Sequence, residues 1–236
     1  MLLTVIIISL LAGLAMPLGA AIAHLENIKK KWLEEELRHG IMAFGAGALL
    51  SAVALVLVPE GISEYTPYAA CAWFVLGGFA FMLLDIFLKK INTPASQLAA
   101  MLSDFIPESI ALGAAFATGS SSAYLLAGLM ALQNLPEGFS AYRELNSTSS
   151  YKPIKIITVF VLMAFLGPMF GVSGFVWLSQ HPETIAAIML FASGGIIYSI
   201  FQDIAPQVKL ENHWAPPLGA LLGFSLGIFG LMITTH

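Results

Sequence analysis

Two pairs of oxygen-bearing side chains stand out in a chain that has little room for them. Asp104 and Glu108 are four residues apart, as are Gln133 and Glu137, so on helices each pair shares a face, its members about 6 Å apart along the axis. A proline lies inside each interval, Pro107 and Pro136. Each lacks an amide hydrogen and crowds the carbonyl four residues earlier, that of Ser103 or Leu132, so each helix should kink beside its pair. If the two helices face one another, three carboxylates and one amide oxygen converge. The apolar segments around them hold no central Lys or Arg, so the countercharge must be a proton or an external cation. Oxygen ligands on a stiff helical pair suit a divalent metal ion. The plainer alternative is that these acids share protons and hold helices together. Downstream, Gln202 and Asp203 precede Pro206 and read either as a weaker exit point or as the polar end of a helix.

The elements that must position these residues are membrane helices. Of 236 residues, 58% are apolar and 10% charged, with a mean hydropathy of +0.86; a soluble domain carries about 25% charged residues. Such a surface must meet lipid. Apolar runs of roughly spanning length occur at 2–23, 40–58, 67–88, 97–118, 121–142, 154–178, 183–205 and 215–234. The expected fold is all-α, one polytopic domain over 1–236 with eight transmembrane helices. The first run ends in Gly19-Ala20-Ala21-Ile22-Ala23, like a signal-peptidase site, but has no basic n-region and is expected to stay as a span. Lys29, Lys30, Lys31, Arg38, Lys89, Lys90, Arg143, Lys152, Lys155 and Lys209 all fall in or beside odd-numbered loops. Because basic residues gather on the cytoplasmic side, both termini should lie outside. A net charge of −4 argues against a nucleic-acid partner, and the single Cys71 excludes an intrachain disulfide.

Segments of the chain echo each other. Phe44-Gly-Ala-Gly47 leads to Pro59-Glu60 as Phe191-Ala-Ser-Gly194 leads to Pro206-Gln207, with equal Phe-to-Pro separation. Asp104-Phe-Ile-Pro107-Glu108 is echoed by Gln133-Asn-Leu-Pro136-Glu137. In each case the two spans run in opposite directions, and inverted repeats around proline-interrupted helices point to a transporter. Asp85 should pair with Lys89 one turn on. Glu60 and Glu64 belong outside, while Glu34-Glu35-Glu36 reads as a solvated stretch of loop helix. All five histidines fall in loops or at the terminus, and none is assigned to the central site.

These segments resemble the ZIP (Zrt-, Irt-like protein) metal transporters, through Asn134-Leu-Pro-Glu-Gly138, Asp104-Phe-Ile-Pro-Glu-Ser109, Phe44 to Glu60 and Gly194-Gly-Ile-Ile-Tyr198 to Pro206. The resemblance implies a 3+2+3 helix arrangement and a transport site at Asp104, Glu108, Gln133 and Glu137. Asp104 stands where the family has histidine, leaving an all-oxygen site that should shift preference from Zn²⁺ toward Mn²⁺ or Fe²⁺. Of the family's second metal site only Asn134 could still ligate; Phe105 and Gly167 occupy the other positions and should close that pocket. The family's exit ligands correspond to Gln202 and Asp203. The resemblance further implies that spans one, four, five and six move against two, three, seven and eight.

The expected function is therefore passage of a divalent cation, Zn²⁺, Mn²⁺, Fe²⁺ or Cd²⁺, into the cytoplasm as transported substrate. No organic cofactor, nucleotide-binding loop or enzymatic chemistry is expected. The rival readings are the same fold with a changed cargo, and a metal-binding membrane sensor that does not transport. Small size and short loops suggest a prokaryotic inner membrane. Expected partners are the bilayer, the metal ions and a second copy of the chain, since Gly47, Gly77, Gly78 and Gly223 allow close helix contact, a dimer interface included.

Overall fold

The computed structural model describes residues 1–26, 31–91, 93–120, 122–206, 208 and 215–235. Lys29, Lys30, Lys209, His213 and His236 lie outside the described residues. Within them the chain is all-helical. The helices are α1 (Leu2–Leu25), α2 (Lys31–Ala52, continuing through Val53–Leu57 and Val58–Gly61), α3 (Pro67–Ile91), α4 (Pro94–Thr118) and α5 (Ser122–Thr148). They are followed by α6 (Pro153–Ala164 and Leu166–Val176), α7 (Pro182–Ser199, continuing through Ile200–Ile204) and α8 (Ala215–Thr235).

Seven of these are long and apolar enough to cross a membrane, and they fit an integral membrane protein. The helix that does not qualify is α5, although it has 27 residues. Gln133, Asn134 and Glu137 dilute its apolar run. It lies at the centre of the bundle against α1, α2, α4 and α8. By contrast α3 and α8 have only 11% of their apolar windows buried and form the outer wall.

Proline shapes the interruptions. Pro168 offers no amide to Ala164, and α6 breaks at Phe165 between its two halves. In α2 and α7 the helix widens into a π turn, Val53–Leu57 ahead of Pro59 and Ile200–Ile204 ahead of Pro206. The wider turn changes the bonding register just before a residue that cannot donate. Both π turns begin at the same distance from Phe44 and Phe191, the residues that open the sequence echo. Pro107 and Pro136, in contrast, lie within unbroken helices.

Glycines set the helix pairing. α1 crosses α5 at Gly19 and Gly138, α2 crosses α8 at Gly47 and Gly223, α3 crosses α7 at Gly77 and Gly194, and α4 crosses α6 at Gly113 and Gly174. At all four crossings each glycine lies against the carbonyl oxygen three residues before its mate, where a Cβ would collide with backbone. Contacts between α2 and α8 advance together, from Gly40 with Gly219 to Ser51 with Gly227, so these helices run parallel. The same holds for α1 and α5, from Ala12 with Asn134 to Glu26 with Arg143. Gly47, Gly77, Gly78 and Gly223 thus make contacts inside one chain.

Candidate metal site

The spacing argument requires α4 and α5 to face one another, and one side-chain contact shows that they do. Gln133 Nε2 donates to both carboxylate oxygens of Glu108, at 2.7 and 2.6 Å. Glu108 is fully buried and Gln133 is 3% exposed. Burial excludes water that would compete for this contact. Gln133 Oε1 and Asp104 Oδ1 are also buried but have no hydrogen-bond partner. An unpaired buried oxygen costs about 1–3 kcal/mol, and two of them flank the one satisfied carboxylate.

Asp104 and Glu137 are half-buried. Each lies within electrostatic range of Glu108, and the two of each other. They are not drawn to a common point: among the described residues no three His, Cys, Asp or Glu side chains are grouped so as to hold one metal ion. The structure therefore joins Glu108 to Gln133 directly and leaves Asp104 and Glu137 beside them.

Asn134, 1% exposed, turns away from this cluster. Its Nδ2 donates to the carbonyl of Ala12 at 3.0 Å, fastening α5 to α1. Phe105 is also buried, and its Cζ would stand 2.9 Å from a Cβ on Gly13 and 3.0 Å from one on Gly167. The ring fills the space that these two glycines leave between α1, α4 and α6.

Toward the end of α7, Gln202 is exposed and Asp203 partly buried, both within the π turn. The Asp203 carboxylate lies 3.9 Å from Lys89 Nζ. Lys89 makes its shorter bridge to Asp85, at 2.8 Å, the i,i+4 pair expected from the sequence. Tyr198 Oη also donates to Asp85, at 3.1 Å, joining α3 to α7. Asp203 is an electrostatic neighbour of Asp104, which links this cluster to the centre.

Other polar ties have no local signal in the sequence. Arg143 bridges Glu26 at 3.1 Å, and the His24 ring is 2.8 Å from Tyr142 Oη, so α1 and α5 are held at their ends as well as at the glycine crossing. Glu60, read from the sequence as an outside acid, accepts hydrogen bonds from Ser120 on the α4–α5 connection and from Ser122 at the start of α5. Each joins residues more than a span apart in the chain, beyond the reach of helical periodicity. Compared with known proteins, the chain matches no family model and no curated sequence.

Proposed function

We propose that this chain is a carrier of divalent metal ions, with eight spans in an inverted repeat, both termini outside and a single central site of Asp104, Glu108, Gln133 and Glu137. The observation that carries the reading is the buried Glu108–Gln133 pair flanked by the unpartnered oxygens of Asp104 and Gln133. Oxygens kept from water without donors are what a cation binds. Coordination requires the Gln133 amide to turn and the Asp104 and Glu137 carboxylates to swing toward Glu108.

The eighth span is α5, whose polar residues face the bundle rather than lipid, the arrangement membrane helices use for ion paths. Three features support the inverted repeat: the matched π turns, the echo of Asp104–Glu108 in Gln133–Glu137, and the glycine crossings. Exchanging α1–α3 with α6–α8 and α4 with α5 turns the α1/α5 crossing into α6/α4 and the α2/α8 crossing into α7/α3. The paired helices divide into α1, α4, α5, α6 and α2, α3, α7, α8, the two groups that would move against one another.

Phe105 supports a one-ion site, and an all-oxygen ligand set supports selection of ions harder than Zn²⁺. The cargo leaves past Gln202 and Asp203 into the cytoplasm, and no covalent chemistry is involved. A prokaryotic inner membrane and a dimeric assembly belong to the same proposal.

The test is multi-element analysis of cells expressing wild type, Glu137→Ala and Asp104→His at matched levels. Accumulation of a divalent metal by wild type, lost in Glu137→Ala, is the expected result, with Asp104→His moving selectivity toward zinc. No accumulated metal, or normal accumulation by Glu137→Ala, would reject metal uptake and favour a changed cargo or a sensor.

A further inference from the structure

The Gln133 amide has two faces with opposite chemistry, and the two have opposite surroundings. Its nitrogen is in contact with both oxygens of Glu108, while its oxygen is buried without a partner. Turned by half a rotation, the amide would set Oε1 against two carboxylate oxygens, a repulsive arrangement with no donor present. The same turned amide becomes favourable once a cation stands between the two groups, because Oε1 and the carboxylate then bind one ion. Donation and coordination are mutually exclusive, since the N–H group points at the lone pairs that a metal would use.

Resting on the carrier reading above, we propose that Gln133 is an internal substitute for the cargo: its amide N–H group caps Glu108 during the crossing without cation and turns to offer Oε1 during the crossing with it. A carrier working by alternating access must make both crossings. A buried carboxylate without a partner is costly at membrane depth, and Lys or Arg in the cap position would compete permanently with the cargo. An amide supplies a donor without a net charge, so the cation can displace it. Glu108 is suited to receive it, being fully buried with both oxygens on the same nitrogen. Leucine at 133 could neither donate nor coordinate, and glutamate could donate only by carrying a proton of its own.

The experiment separates the two crossings. Full-length protein in phosphatidylethanolamine–phosphatidylglycerol vesicles is given Zn²⁺, Mn²⁺ or Cd²⁺, each alone, in two formats. Net uptake into metal-free vesicles needs the return without cation. Tracer exchange at equal concentration on both sides uses loaded crossings alone. In Gln133→Glu, net uptake should fall at least about tenfold more than exchange, the scale of one lost hydrogen bond to a charged group.

The swapped variant Glu108→Gln with Gln133→Glu restores one amide and one carboxylate, and should recover the ratio of net uptake to exchange. It also shows whether the single variant failed for want of folding. Equal loss of both fluxes in Gln133→Glu, an unchanged ratio, or a swap that leaves the ratio low would each overturn the proposal, reducing Gln133 to an ordinary ligand or a packing residue. Wild type showing neither flux with any of the three ions would bring down the carrier reading itself, and this inference with it.

Discussion

Phe105 on α4 stands with the tip of its ring over Gly167 on α6, a position that only a residue without a side chain can occupy. A Cβ there would lie 3.0 Å from the ring and 2.7 Å from the carbonyl oxygen of Ser9. The ring can move but the backbone cannot. Gly167→Ala should therefore destabilise by about 1–3 kcal/mol, and Phe105→Leu, which retracts the ring, should not rescue it. Thermal unfolding in detergent of the two single variants and the double checks this. Full recovery in the double variant would show that the ring, and not the α1 backbone, sets the limit.

The four glycine crossings make a sharper prediction. Gly47→Ala places a methyl group onto the carbonyl of Ala220, whereas a Cβ on Gly128 meets nothing within 4 Å. Gly128→Ala should stabilise by about 0.5–1 kcal/mol, the ordinary gain for glycine in a helix. Gly47→Ala should lower the melting temperature clearly, and Gly194→Ala, at the α3/α7 crossing, should do so to a similar extent. Melting temperatures for the three single variants decide the matter; a tolerated Gly47→Ala would mean that α2 and α8 can separate at little cost.

On α3, Lys89 holds Asp85 at 2.8 Å and reaches Asp203, at the end of α7, at 3.9 Å. The bridge is half-exposed, so its contribution to stability is at most about 1 kcal/mol. Its larger effect is on charge, because Lys89 neutralises the acids of the proposed exit. Lys89→Gln should leave folding nearly unchanged while retaining cations at Asp85 and Asp203, slowing release. Uptake by vesicles should show a lower maximal rate, with partial recovery in Lys89→Gln combined with Asp203→Asn. A maximal rate equal to wild type would remove Lys89 from the exit path.

Glu60 ties α2 to the connection between α4 and α5 through Ser120 and Ser122. Replacing both serines by alanine should raise hydrogen–deuterium exchange at the amides of Gly119 and Ser120 and leave exchange in α3 unchanged. If exchange at the connection stays at the wild-type level, the turn is held by its backbone alone, through Ser120 N–H on the carbonyl of Ala115.

Composition and periodicity determine much of this protein. Apolar runs mark the helices because only a helix satisfies its own backbone in lipid. The i,i+4 oxygens around Pro107 and Pro136 mark a polar face, and Asp85 with Lys89 is a local pair. The run through α5 is the instructive exception: the polar residues that make it interesting also dilute it as an apolar span. What periodicity cannot supply is the partner of each face. Which helix meets Gly47, where the Phe105 ring goes, and that Gln133 donates to Glu108 while Asn134 turns to Ala12 depend on contacts between segments far apart in the chain. Those contacts are set by the close approach of backbones at glycine crossings, which only the packed structure decides.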